Sequence, residues 1–303
     1  MDIYDIIIIG AGPAGLTAAI YALRAKKRVL LIEKGALGGQ MTYSPKIENY
    51  PGFIELSGNE LADKMTEQAL ALGADIEIDA VTGVEDHGDT KTVVTEGGSF
   101  VARAVIVASG AAHRRLGLEH EEELIGSGIS FCAVCDAAFF NDQDVCVAGG
   151  GNSAMQEALL LSENCKSVTM IQNLAFLTGE EALKEKIGEK ENIKVIYNSV
   201  VTGLRYNEKG LTGIETLNTE TNEASAVPTE GLFVAVGLSP DTAPFKGLIE
   251  LDGYGYVAAD ESCLTNVPGI FTAGDCRQKT VRQVSTAAAD GAVAAVAAIK
   301  YLG

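Results

Sequence analysis

The sequence predicts an α/β fold in which one strand–turn–helix plan is used twice, and three observations predict it. Residues 4–9 form an apolar run, broken once by Asp5, that stops at Gly10-Ala11-Gly12-Pro13-Ala14-Gly15. Residues 144–148 run likewise into Gly149-Gly150-Gly151-Asn152-Ser153-Ala154. Laid over each other without a gap, Gly149 falls on Gly10, Gly151 on Gly12 and Ala154 on Gly15. Such an apolar run marks a strand buried on both faces, as in a parallel sheet.

Composition narrows the class. The 303 residues suggest about two domains, and 47% hydrophobic content is ample for two cores. The acidic start and short isoleucine run do not make a signal peptide, and no apolar run is long enough for a membrane span. Six cysteines are too few for a disulfide scaffold, so a reducing, cytoplasmic setting is expected. The net charge of −18 argues against nucleic acid as a partner.

In the first unit the glycine turn leads into a helix over 16–25 and a second strand over 28–32. Gly10 allows the tight turn, Gly12 lets the backbone approach a pyrophosphate, and Gly15 lets helix and strand pack closely. Glu33 stands 21 residues after Gly12, where a carboxylate accepts hydrogen bonds from an adenosine ribose. Strand, turn, helix, strand and acid at this spacing define a dinucleotide-binding (Rossmann-like) unit rather than a merely structural glycine turn. Residues 38–52 are too polar and punctuated for a core element. Ser57 and Glu60 form a capping box for a helix over 59–72, with Leu61, Met65, Ala69 and Leu72 on its apolar face. Strands are expected at 75–81, 91–96 and 99–108.

The second unit continues with a helix to about 163 and a strand over 168–171. In the register of Glu33 stands Gln172. A nucleotide with a 2′-phosphate calls for arginines just past this strand, and one with a free 2′-hydroxyl calls for an acid. Residues 172–178 read QNLAFLT and offer no charge of either sign. A glutamine can still hydrogen-bond a ribose, so a residual site remains open. Further elements are expected at 180–190 (helix), 194–198, 201–206, 211–218, 231–237 and 267–275 (strands) and 285–302 (an alanine-rich helix).

Between the two units lies FCAVCD, residues 131–136. Cys132 and Cys135 at this spacing can close a small disulfide ring that exchanges with another protein's disulfide, and Asp136 follows directly. Zinc would need two more ligands, whereas Cys146, Cys165, Cys263 and Cys276 form no second pair and the three histidines show no ligand spacing.

GAGPAG, GGQ, ENYPG, CAVCD, GGGNSA, GLFVAVG and IFTAGD followed by RQV, in this order over nearly the whole chain, resemble the low-molecular-weight thioredoxin reductases. The resemblance implies an FAD-containing homodimer of the FAD/NAD(P)-linked disulfide reductase type, with three-layer ββα domains and small antiparallel meanders. It implies a discontinuous flavin domain, 1–113 and 239–303, and a nucleotide-binding-like domain, 114–238, carrying the disulfide. Gly10, Gly12, Pro13, Ala14 and Gly15 would lie along the FAD pyrophosphate, with Glu33 at its ribose. Gly39, Gln40 and Asn49 would line the isoalloxazine and ribityl region, and Val81 would meet the adenine, with Ser109 and Gly110 nearby. Gly274 and Asp275 would bind the ribityl chain, and Arg282, Gln283 and Val284 would meet the flavin ring. By the same resemblance Cys135 faces the flavin, Cys132 attacks thioredoxin's disulfide, and Asp136 handles the proton.

NADPH-dependent members carry HRRxxxR where this chain reads QNLAFLT, so the likeness is to the ferredoxin-dependent flavin thioredoxin reductase branch. Reduced ferredoxin is then the expected donor, with thioredoxin as substrate. Acidic ferredoxin would need a local basic surface, either Arg24, Lys26, Lys27 and Arg28 or Arg114 with Arg115. The chain also lacks an aromatic extension after Gly303 of the kind found in related ferredoxin–NADP reductases. Three other readings stay open: an NAD(P)H-dependent thioredoxin reductase with an atypical nucleotide site, a flavin dithiol oxidase using oxygen, and a flavoprotein redox sensor.

Overall fold

A computed structural model describes residues 3–44 and 46–303. Met1 and Asp2, which belong to the acidic start, and Pro45 lie outside the described residues. The N-terminal stretch runs β1 (Ile3–Ile9), α1 (Pro13–Arg24), β2 (Val29–Glu33), α2 (Gly58–Ala71), β3 (Asp75–Ile78), β4 (Val81–Asp86), β5 (Lys91–Thr95), β6 (Ser99–Val107) and β7 (Ala111–His113). The middle runs β8 (Ile129–Ser130), α3 (Ala133–Asp136), β9 (Asp144–Ala148), α4 (Asn152–Ser162), β10 (Ser167–Ile171), α5 (Glu181–Glu189) and β11 (Ile193–Ile196). It continues through β12 (Ser199–Asn207), β13 (Gly210–Asn218), β14 (Ala224–Pro228), β15 (Gly231–Val234) and β16 (Leu238–Pro240). The chain closes with β17 (Ile270–Thr272) and α6 (Val284–Leu302). It divides into two compact units, Met1–Ala112 with Ser239–Gly303, and His113–Leu238.

In the discontinuous unit, β3, β2, β1 and β6 run parallel. The long β6 pairs antiparallel with β5 through its first half and parallel with β17 through its second. The isoleucine run of β1 is buried on both faces. Ile6 and Ile8 join the core beneath α1, α2 and α6, while Ile7 and Ile9 join the opposite core with Val93, Phe245 and Val257. Helices α1 and α6 cross almost backbone to backbone, since a Cβ at Gly291 would lie 2.1 Å from the Ala14 carbonyl oxygen. Ala287, Ala294, Ala295 and Ala298 of α6 are therefore core. Ser57 does cap α2, accepting from the Glu60 amide while the Glu60 carboxylate accepts from the Ser57 amide.

The continuous unit repeats the plan with a parallel sheet in the order β11-β10-β9-β15-β8, beside the antiparallel meander β12-β13-β14. The same alternation sorts β9. Val145 and Val147 face α4, and Cys146 and Ala148 face the core that includes Leu211 and Ile214 of the meander. The α/β class with two Rossmann-type sheets is the one expected.

Several element readings change: the strand expected at 231–237 ends at Val234, and the short β7, β8 and β16 are additions. The strand expected at 75–81 is two strands, because the Asp79 carboxylate accepts from the Ala80 and Gly97 amides and turns the chain. The strand expected at 267–275 shrinks to β17, since the Thr265 hydroxyl ties Val267 into a turn. Strand β14 was not foreseen: it is mostly exposed and is held by pairing with β13.

Candidate redox site

Cys132 and Cys135 are joined as a disulfide, with their Cα atoms 5.3 Å apart. The short helix α3 closes the ring: the Cys135 and Asp136 amides both donate to the Cys132 carbonyl. Beneath it Ser130, at the end of β8, joins the two parts of the motif. Its hydroxyl accepts from the Cys132 amide at 3.1 Å and donates to Asp136 Oδ2 at 2.6 Å. Asp136 Oδ1 is buried and has no hydrogen-bond partner. Burial holds the Asp136 carboxyl above the usual carboxylate range, against a smaller downward pull from Ser130. Such a carboxyl can hold a proton beside a disulfide that needs one on reduction.

The neighbours sharpen the contrast. His113 stacks on Phe131 at 4.9 Å, and burial pushes its imidazole down to about 4, so it is neutral and brings no charge to the pair at pH 7. Burial pushes the Cys146 thiol up to about 12, Cys165 to about 11 and Cys263 to about 12, and raises Cys276 as well. These four are buried and unpaired, and do not compete as thiolates. Among the described residues, no three or more His, Cys, Asp or Glu come together as a metal site.

Sequence reasoning missed two side chains. Ser130 gives no signal, because one serine at a strand end is ordinary. Glu157 does give one: it lies between Ala154, Ala158 and Leu161 on the inward stripe of α4, where a carboxylate is out of place.

The expected dinucleotide residues of the discontinuous unit sit as follows. Gly10 has φ +102° and passes against the strand end at Ala108, where a Cβ would meet the carbonyl oxygen at 2.3 Å. Gly12 caps α1, with Pro13 in its first turn and Ala14 and Gly15 buried behind it. Glu33 accepts from the Ala11 amide at 2.8 Å and from the Gly35 amide at 2.9 Å. Asp79, just before Val81, donates its amide to the Glu33 carbonyl. Gly39 packs on Gly12, and exposed Gln40 follows it in the 3-10 turn. The Asn49 side chain donates to the Gln283 side chain at 3.2 Å. Gly110 accepts from the Asp241 amide. Gly274 donates to buried Asp290 at 3.0 Å, and Arg282 lies over the Tyr256 ring and reaches the Asp275 carbonyl. Gln283 and Val284 begin α6. Two buried polar atoms here lack partners: Ser109 Oγ and Asp275 Oδ1.

In the continuous unit the turn is alike, and the residue in the register of Glu33 differs. Gly149 has φ +131°, and Gly151 caps α4. Gln172 is buried, with its amide against Gly150 and its Nε2 donating to the Phe176 carbonyl at 2.8 Å. The Thr178 amide and hydroxyl both donate to the Gly150 carbonyl. At the start of α4, Asn152 exchanges two hydrogen bonds with Glu180, accepting from its amide and donating to its carboxylate. Leu174 and Phe176 are exposed. Of the basic clusters, Lys27 donates to the Gly303 carbonyl, Arg28 covers the Tyr4 ring and Arg115 pairs with Glu122, while Arg24, Lys26 and Arg114 are exposed.

Two Rossmann-type sheets, one carrying a C-x-x-C disulfide backed by an aspartate, define the class of nucleotide-linked disulfide reductases. Residues 4–291 match the family described as Pyridine nucleotide-disulphide oxidoreductase. A thioredoxin reductase of Listeria monocytogenes is 43% identical over 99% of this chain and 94% of its own. The "34.2 kDa protein in rubredoxin operon" of Clostridium pasteurianum is 39% identical over 99% of this chain and 97% of its own. The crystal structure of thioredoxin reductase from Streptococcus pyogenes superimposes with a TM-score of 0.94 at 41% identity, covering 99% and 98% of the two chains. The chain belongs to the pyridine nucleotide-disulphide oxidoreductase family and is a disulfide oxidoreductase of the thioredoxin reductase kind. The relatives' names state no electron donor.

Proposed function

We propose that this protein reduces thioredoxin through Cys132 and Cys135, drawing electrons through bound FAD from reduced ferredoxin rather than from a pyridine nucleotide. The observation that carries the reductase reading is the Cys132–Cys135 disulfide set on Ser130 and a partly desolvated Asp136. Two electrons and two protons open this disulfide to two thiols. One thiolate then attacks the substrate disulfide, forming a mixed disulfide and releasing a thiolate. The second cysteine resolves the mixed disulfide, and the substrate leaves as a dithiol. Asp136 gives a proton to the displaced substrate thiolate. On the resemblance, Cys132 attacks and Cys135 resolves.

The residues of the discontinuous unit fit FAD. Ser109 Oγ and Asp275 Oδ1 are buried polar atoms waiting for partners. A Cβ built at Gly12 meets nothing nearer than 4.0 Å, which leaves the start of α1 open to a pyrophosphate. Glu33 would take the ribose, Val81 the adenine, and Gly39, Asn49, Asp275 and Gln283 the ribityl and ring end. When bound, the flavin supplies two-electron redox chemistry between a donor and a disulfide. This unit is then the FAD domain, and the continuous unit the nucleotide-binding-like domain. A homodimer belongs to the same reading.

Gln172 supports the choice of donor: its amide is committed to Phe176, and no cation stands in 172–178. The rubredoxin operon in the Clostridium pasteurianum relative's name fits an iron–sulfur donor. A second reading, a pyridine nucleotide at an atypical site, is favoured by the intact turn at Gly149 and Gly151. Anaerobic stopped-flow of the flavin-loaded protein decides. Fast bleaching by reduced ferredoxin and none by NADPH or NADH supports ferredoxin. Full bleaching by either nucleotide selects the second reading.

A further inference from the structure

Behind the disulfide, helix α4 brings a second acid to the first. Glu157 sits among Ala154, Ala158 and Leu161, and the same core cluster contains Ala133 and Ala137, which flank Asp136 in sequence. Both carboxyls have one buried oxygen with no hydrogen-bond partner, Glu157 Oε2 and Asp136 Oδ1. We propose that Glu157 is a positioning residue of the redox centre, forming with Asp136 a buried carboxyl pair that holds one proton for the thiol exchange.

Two carboxylates close together in a dry site do not both ionise readily, so the pair keeps a proton at a pH where a lone carboxyl has lost it. Burial first, and then the charge of Asp136, push the Glu157 carboxyl up to about 8. No cation acts on Glu157, and the other polar group at Asp136 is the Ser130 hydroxyl. In the exchange, a cysteine thiolate attacks the substrate disulfide, one S–S bond forms and one breaks, and the displaced thiolate takes a proton. Asp136 gives that proton. The pair is then doubly charged and regains a proton from water, ready for the next exchange.

This inference rests on the dithiol reading but not on the donor, so it is tested without either donor or flavin turnover. Wild type, Glu157→Gln and Glu157→Asp are reduced with dithiothreitol, and alkylation of Cys132 and Cys135 by iodoacetamide is followed against pH. Wild type should show an inflection near pH 8 besides the thiols' own. Glu157→Gln should lose it, matching wild type within about twofold at neutral pH and holding about tenfold more thiolate in the alkaline limb, the effect of about one unit in thiol pKa. Glu157→Asp should restore a displaced inflection. Should Glu157→Gln not fold, infrared spectroscopy of wild type and Asp136→Asn replaces it. Wild type should keep a protonated-carboxyl band at neutral pH, and in Asp136→Asn the Glu157 band should vanish at lower pH. Superimposable alkylation profiles, or no such band in wild type, would overturn the proposal alone. A pair that never cycles between disulfide and dithiol would overturn the parent reading with it.

Discussion

At the end of β2, Glu33 reaches back to the Ala11 amide with one oxygen and to the Gly35 amide with the other, and the residue stays half-buried. At the end of β10, in the same register, Gln172 is buried and ties its amide to the Phe176 carbonyl. The turns before them are built alike, with a left-handed glycine and a second glycine capping a helix. The difference teaches that backbone architecture and ligand recognition separate cleanly. A glycine turn is kept because the sheet and helix need it, whereas the side chain past the second strand is free to differ: Glu33 closes its own turn, and Gln172 ties down the loop at Phe176.

The largest expected effect lies at the disulfide that only the second unit carries. Cys132→Ser and Cys135→Ser should each lower thioredoxin reduction at least about a thousandfold, as loss of a covalent-catalysis residue does. Cys135→Ser should accumulate a mixed disulfide with thioredoxin on a non-reducing gel, and Cys132→Ser should not. The reverse pattern would exchange their roles.

Next come two variants that make the two turns more alike. Glu33→Ala should weaken FAD retention about 10- to 100-fold, the loss of one charge-assisted hydrogen bond, measured by equilibrium dialysis. Asn173→Arg with Leu174→Arg should raise NADPH affinity by a similar factor through contacts to the 2′-phosphate, read by calorimetry. No gain there would mean that the loop tied to Gly150, rather than the missing charge, excludes the nucleotide.

Glu157 allows a smaller, pH-dependent test. Its carboxyl sits near the ordinary value in the unfolded chain and at about 8 when folded, so between these values only the folded chain keeps the proton. The stability this contributes is full below the unfolded value and is lost as pH rises through the folded one, at up to about 1.4 kcal/mol per pH unit. Urea unfolding of Glu157→Gln should lack that component. Smallest of all, Gln172→Ala should cost about 1 kcal/mol for the lost bond to Phe176 and leave the choice of donor unchanged within about twofold.

Most of this architecture is legible in the sequence because its signals are local. The runs of β1 and β9, the turns at Gly10 and Gly149, and the Ser57–Glu60 cap each depend on residues within a few positions. What escapes is set by distant partners. Strand β14 is short, mostly exposed and without alternation, and it is held by pairing with β13. The break between β3 and β4 depends on Asp79 reaching Gly97. At the site, C-x-x-C-D is plain, but Ser130 becomes a bridge only once β8 is laid beneath α3. Glu157 was visible as an acid on an apolar stripe, though not what it faces.

The close crossing of α1 and α6 also has a temporal side. The two helices are separated by some 260 residues of chain. At roughly 5–20 residues per second, a ribosome takes on the order of 10 to 50 s to make that span. Throughout that interval Ala14 and Ala18 lack the surface that Gly291, Ala294 and Ala295 later provide. The whole of His113–Leu238 emerges in the meantime and has every strand of its own parallel sheet. The first segment of the discontinuous unit is made before the continuous unit, yet the discontinuous unit is sealed after it.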